Sequence, residues 1–173
     1  VTSSGAQTYT GAVTLGQAAV LTGAGIKFVS TLDGANTLTI TDTATTTFGG
    51  AVGGANALTS LLVNGGGSTR INGGAVATDD AQTYSNAVDL RAATTLTGSA
   101  VSFLNSVLGG SGANTFALDI VGDAVLGDAT GYGSENMSLG ALSVDGNTTL
   151  NVSTITTSGA TPVSDWLHRC TSA

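Results

Sequence analysis

The chain has 173 residues, 26 of them Gly, with only 9% charged residues and a formal net charge of -7. Glycine stands at about twice its usual share and charge far below the typical ~25%, which is unlike an ordinary globular enzyme. The 41% hydrophobic content, regularly spaced, is equally unlike a disordered chain. Lys27, Arg70, Arg91 and Arg169 are the only basic residues. They lie far apart in sequence, which argues against nucleic acid or an anionic membrane surface as a partner.

From the amino terminus, short runs of period-2 alternation follow one another, each ended by Gly, Asn, Asp or Ser. This is the pattern of strands with one buried face joined by tight turns. AVTL (12–15), AVLTG (19–23) and IKFVS (26–30) are the first three such runs. Residues 37–47 read TLTITDTATTT, with Thr at every odd position. Further runs begin near Leu58, Ala87, Thr115 and Leu139. Helical periodicity is absent from 1–161.

The strongest signal is internal repetition. GAQTYTGAVTLGQAAVLTGAGIKF at 5–28 returns as DAQTYSNAVDLRAATTLTGSAVSF at 80–103, so that Gln7, Tyr9, Val13 and Phe28 match Gln82, Tyr84, Val88 and Phe103. LTSLLVNGGGSTRINGGAV at 58–76 is echoed by LGALSVDGNTTLNVSTI at 139–155, and TTSGAT from Thr156 parallels TSSGAQ from Thr2. Repeating corners favour a solenoid over a sandwich, because each layer stacks on the one before at ~4.8 Å.

The expected fold is an all-β parallel β-helix of about six coils, each of 21–29 residues and three short strands. It covers 1–161 as two long repeats (2–76 and 77–155) and the start of a third. Equivalent residues of the two copies, such as Tyr9 and Tyr84 or Val13 and Val88, are expected on the same edge. The expected inward residues are Val13, Leu15, Leu21, Leu38, Ile40, Leu61, Val63, Ile71, Val88, Leu90, Leu96, Leu118, Ile120, Leu142, Val144, Leu150 and Val152. Gly-Ala-Asn triplets at 34–36, 54–56 and 112–114 suit corners, and their Asn side chains could bond along the rod. Residues 162–173 break the repeat and hold the only Pro, Trp, His and Cys. Trp166 and Leu167 could cap the last coil there.

Candidate chemistry is sparse. Asp79-Asp80 is the only adjacent acidic pair, and it corresponds to Ser4-Gly5 in the first copy, so a solvent-facing turn is expected rather than an acid–base pair. Asp119, Asp123, Asp128 and Glu135 could form a weak Ca²⁺ site but read better as an exposed loop. GGSGANTFA at 109–117 resembles a calcium-binding nonapeptide, with Asn114 where Asp belongs and no tandem copy. His168 and Cys170 are too few for zinc, and no nucleophile elbow or phosphate loop is present. Catalytic, cofactor and metal residues are therefore all expected to be none. The Thr run at 37–47 could order water as a flat array, but neighbouring coils do not repeat it.

GAQTYTGAVTL, LDGANTLTI, FGGAVGGANALTSLLVN and INGGAVATDDAQTY resemble the Gly/Thr-rich repeats of filamentous-haemagglutinin-like bacterial surface proteins, over roughly 2–161. The resemblance implies a right-handed parallel β-helix exported by two-partner secretion or as an autotransporter. It implies an extracellular, cell-surface location and a part in adhesion or biofilm. The expected partners are host or matrix glycans and proteins or neighbouring copies of the chain. Nucleic acid and membrane insertion are not expected. Two other readings are an end-to-end fibre subunit and a polysaccharide-active β-helix enzyme.

Overall fold

A computed structural model describes residues 1–110, 115–129 and 135–159. The described chain is all β and winds as a parallel β-solenoid of about seven turns, with three strand-bearing faces. Face one holds Gln7–Tyr9, Ile26–Phe28, Thr45–Phe48, Ser68–Ile71, Ala87–Leu90, Val107–Leu108, Asn136–Leu139 and Thr154–Thr157, bonded in that order. Face two begins with Val13–Thr14 and Leu32–Asp33, crosses a bridge at Val52, and continues through Ala75–Ala77 to Leu142–Val144. Face three begins with Ala19–Gly23, Leu38–Asp42, Leu61–Asn64 and Gln82–Tyr84. The long strands Thr94–Phe103 and Leu118–Leu126 run through the corner and serve faces two and three in turn.

Alternation decides which side chains enter the rod. In Leu38–Asp42, residues 38, 40 and 42 are buried while Thr39 and Thr41 are only half-buried. Parallel pairing then sets like positions above one another. One ladder on face two passes without a break through Val13, Leu32, Val52, Val76, Leu96, Ile120 and Val144. On face one, Tyr9, Phe28 and Phe48 stack nearly flat, with ring centroids 5.1 and 5.8 Å apart. Every expected inward residue pairs or packs on the core side. Val13, Leu15, Leu142, Val144 and Val152 are only half-buried, and Leu150 is exposed; they belong to the first and last described turns.

Where layers approach closely, glycine is required. At Gly34 the backbone has φ +122°, and a Cβ there would lie 2.5 Å from the Leu15 carbonyl oxygen of the layer below. At Gly122, with φ +136°, a Cβ would collide with the Gly98 carbonyl.

Two expectations need correction. Turns number about seven rather than about six, and their length varies more widely than 21–29 residues: Gln7 pairs with Ile26, 19 positions on, whereas Leu38 pairs with Leu61, 23 on, inside the expected range. Only the turn from Val107 to Met137 is as long as 30. The run starts used for the sequence spacing lie on different faces, so their intervals mix whole turns with thirds of a turn.

The second correction follows. Tyr9 is on face one and Tyr84 on face three. Val13 is on face two and Val88 on face one. Between Tyr9 and Tyr84 the chain passes about three and two-thirds turns, so the second copy is set one face round from the first. The pair 58–76 and 139–155 obeys the same rule. Leu61 is on face three and Leu142 on face two, while Ile71 is on face one and Leu150 on face three. Stacking survives because it needs an inward side chain at every rung, not the same copy at every rung.

Candidate functional surface

The repeat motif Gln-Thr-Tyr builds the same bonded unit at two places. Gln7 donates through Nε2 to the Thr22 carbonyl at 2.7 Å and accepts from the Tyr9 hydroxyl at 2.9 Å. Gln82 donates to the Thr97 carbonyl at 2.7 Å and to that of Val76 at 3.1 Å, and accepts from the Tyr84 hydroxyl at 3.0 Å. The Tyr84 ring stacks on Phe103 at 5.3 Å, as Tyr9 does on Phe28. Each buried amide thus finds partners, as burial demands. Burial also pushes the Tyr84 hydroxyl well above the usual tyrosine range. This unit is structural, and it joins adjacent layers.

Asp42 is the one fully buried acid among the described residues. Its carboxylate accepts from the Gly25, Ile26 and Ala44 amides at 2.7, 2.8 and 2.9 Å and from the Thr46 hydroxyl at 2.9 Å. Burial alone would raise its pKa. The three amides, with Thr46, outweigh that and hold it below the ordinary carboxylate value. Asp42 fastens the corner between faces three and one to the layer beneath. In the sequence it lay concealed inside the threonine run.

The outward side of face one carries the described cations. The column runs Thr8, Lys27, Thr47, Arg70, Asp89, Leu108, Ser138 and Thr156. Arg91 and Arg70 both meet Asp89, at 2.6 and 3.5 Å. Residues far apart in sequence therefore gather on one face, which their spacing did not reveal. Face three is different. Its outward positions are Val20, Thr39, Leu62, Thr83 and Ser102 in one column and Thr22, Thr41 and Asn64 in another, a stretch without charge. The 37–47 threonines do not share one surface: Thr39 and Thr41 face out from face three, Thr45 and Thr47 from face one.

Asp79 and Asp80 are exposed at the corner between faces two and three. Their amides bond to the Leu58 and Thr59 carbonyls, and the Asp80 carbonyl accepts from Thr78. That is the expected turn. The other acids are not gathered: Asp119 is on face two between Thr95 and Ser143, and Asp123 holds Asn147 by its amide at 2.8 Å. Among the described residues no group of three or more His, Cys, Asp or Glu is placed to hold a metal ion. Asn114, His168, Cys170, Trp166 and Leu167 lie outside the described residues. The two described corner asparagines, Asn36 and Asn56, do not bond to one another. Asn36 donates to the Leu15 carbonyl of the layer below at 2.9 Å, while Asn56 uses its amide on Asp33. No described helix is long and apolar enough to cross a membrane.

No protein-family model, curated protein or solved structure matches the chain.

Proposed function

We propose that the chain is a non-enzymatic rod segment of a secreted bacterial surface protein, serving adhesion, biofilm attachment or cell-surface scaffolding. The observation that carries this reading is the one-face turn between copies. An outward motif written once in the repeat is displayed in successive directions: Thr8 stands on face one and its equivalent Thr83 on face three. A rod of this kind offers similar polar side chains to partners from several sides. Host or matrix glycans and proteins are the fitting partners, because the exterior is rich in hydroxyls and poor in charge. Contacts that are weak singly become strong attachment when many engage together. The likeness of the repeats to filamentous-haemagglutinin-like surface proteins supports the same export and location.

The test is retention of beads bearing the chain at rising density on a panel of polysaccharides and matrix glycoproteins. Retention that climbs more steeply than density is expected. Absence of retention at every density would remove adhesion and leave only the scaffold. Shortening of a polysaccharide in the same panel, lost in D79A/D80A, would replace the reading with an enzymatic one.

A further inference from the structure

Two corners of the rod carry the same local chemistry. Val63-Asn64-Gly65-Gly66 closes a strand of face three, and Ile71-Asn72-Gly73-Gly74 closes a strand of face one. An asparagine side chain before glycine is open to attack by the next backbone nitrogen, because glycine hinders that approach least. The fold treats the two corners differently. Asn64 is half-buried on the uncharged face, between Thr41 of the layer below and Ser85 of the layer above. Asn86 fastens its corner, donating to the Asn64 carbonyl at 3.4 Å and accepting from the Gly66 amide at 3.3 Å. Asn72 is exposed. Phe48 lies under Ile71 and Leu90 over it, so the rungs flanking Asn72 are Gly49 below and Arg91 above. Gly49 presents no side chain there, and the Arg91 amide bonds the Ile71 carbonyl at 2.8 Å. The Gly73 amide shares the Phe48 carbonyl with the Asn72 amide and holds the longer arm, 3.3 against 2.9 Å.

We propose that Asn72 is a self-modification site of the folded rod, converting to aspartate or isoaspartate with the help of Arg91, while the fold protects Asn64. The Gly73 amide gives its proton to hydroxide, and its nitrogen attacks the Asn72 Cγ. A new N–C bond forms, and the side-chain nitrogen leaves as ammonia, taking a proton from water. The cyclic imide then takes up water, and the ring C–N bond breaks on one side or the other to leave a carboxylate. One water enters and one ammonia departs, without oxidant or reductant. Negative charge develops first on the amide nitrogen and then on the attacked carbonyl oxygen. A guanidinium carried one rung away, at ~4.8 Å between backbones, favours both. The outward columns of face three hold no cation to do the same. The product carboxylate stands in the column of Arg91 and lowers the charge of face one by one. The isoaspartate form also lengthens the backbone by one atom, at a corner where a Cβ on Gly73 would already collide with the Gly50 carbonyl. It therefore loosens the passage from face one to face two.

The inference rests on the rod fold and not on adhesion. The test is incubation of the full chain in mildly alkaline buffer, folded and in guanidinium chloride, with tryptic peptides read by mass spectrometry. Cleavage after Arg70 separates Asn64 from Asn72. In denaturant the two sites are expected to convert at similar rates, since a β-branched residue precedes each and two glycines follow. In the folded chain Asn72 is expected to outpace Asn64 by at least about tenfold, because Asn64 reacts only after local opening. Arg91→Gln slows Asn72 by about threefold or more and leaves Asn64 as it was. Arg91→Lys, which keeps the charge, restores the rate, and thermal melting verifies that both variants fold. Equal rates at the two sites in the folded chain, or conversion of Asn72 in denaturant alone, would overturn the proposal. A folded R91Q that converts as fast as the wild type would remove Arg91 from it.

Discussion

Gln7–Tyr9 and Gln82–Tyr84 have the same sequence, the same side-chain hydrogen bonds and the same ring stacked above, yet they stand on different faces at different depths. The first unit is in the first described turn, with Tyr9 half-exposed; the second is enclosed, with Gln82 and Tyr84 both at 0% exposure. The lesson is that the structural quantum of this repeat is the strand with its turn, not the whole coil. All three faces accept it, because each asks only for an inward side chain every second residue and a bonded strand at ~4.8 Å on either side. What the face does not fix, position along the rod does: equal contacts should differ in worth according to how much water reaches them.

Aromatic truncation separates the two units most widely. Tyr84→Ala removes a fully buried ring and is expected to cost about 3–5 kcal/mol, while Tyr9→Ala at the end turn costs clearly less. Urea melts of the two variants measure the gap, and equal losses would deny that depth matters.

The copies differ next at Asp42, which lies over Gly23, whereas Gly122 lies over Gly98, the repeat equivalent of Gly23. Asp42→Ala strands the buried Ile26 amide and the half-buried Gly25 amide and should cost on the order of 3 kcal/mol. The same residue makes the first copy acid-sensitive. Its folded pKa lies below the unfolded value, so its contribution is complete above about pH 4 and is lost as pH falls through the folded value. Hydrogen exchange followed down the pH scale should show the Gly25–Ile26 corner opening before the Val101–Phe103 segment.

Glutamine removal gives a smaller contrast. Gln82→Ala leaves the Tyr84 hydroxyl without its acceptor and takes one donor from the Val76 and Thr97 carbonyls, the latter still accepting from the Thr78 amide, and should cost about 1–3 kcal/mol. Gln7→Ala should cost less, since water can replace the lost bonds at the half-exposed Tyr9. Thermal melting of both variants provides the comparison.

The smallest expected difference is at the paired glycines. A Cβ at Gly98 would stand 2.8 Å from the Asp80 carbonyl oxygen, while at Gly23 the nearest atom is the Gln7 side-chain nitrogen at 3.1 Å. Gly98→Ala is expected to lose about 1–2 kcal/mol, and Gly23→Ala less, because a side-chain end yields where backbone cannot.

Much of this was legible in the sequence. Alternation identified strands, and the expected inward residues from Leu21 to Ile120 all prove buried or packed on the core. The faces were not legible. A run such as LTI on face three and TTF on face one carries the same alternation, so nothing local says which side of the rod it occupies. Turn length was hidden as well. Corners absorb extra residues, as Gly53–Ala57 does between the Val52 and Leu58 bridges, without altering the strands around them. Bonding partners such as Asp42 with Gly25 depend on which layer lies beneath. The sequence states that only through a register that the repeat, at three and two-thirds turns, disguises. For the same reason Lys27, Arg70 and Arg91 read as unrelated until the layers are assembled.

The one-face turn between copies is tested most directly by disulfide trapping in a chain carrying C170S. Register partners in parallel strands lie within bonding reach of engineered cysteines. The account predicts that T83C closes with L62C and, separately, with S102C, both on face three. Failure of both, with T83C closing instead onto the face-one column at position 47 or 108, would contradict it.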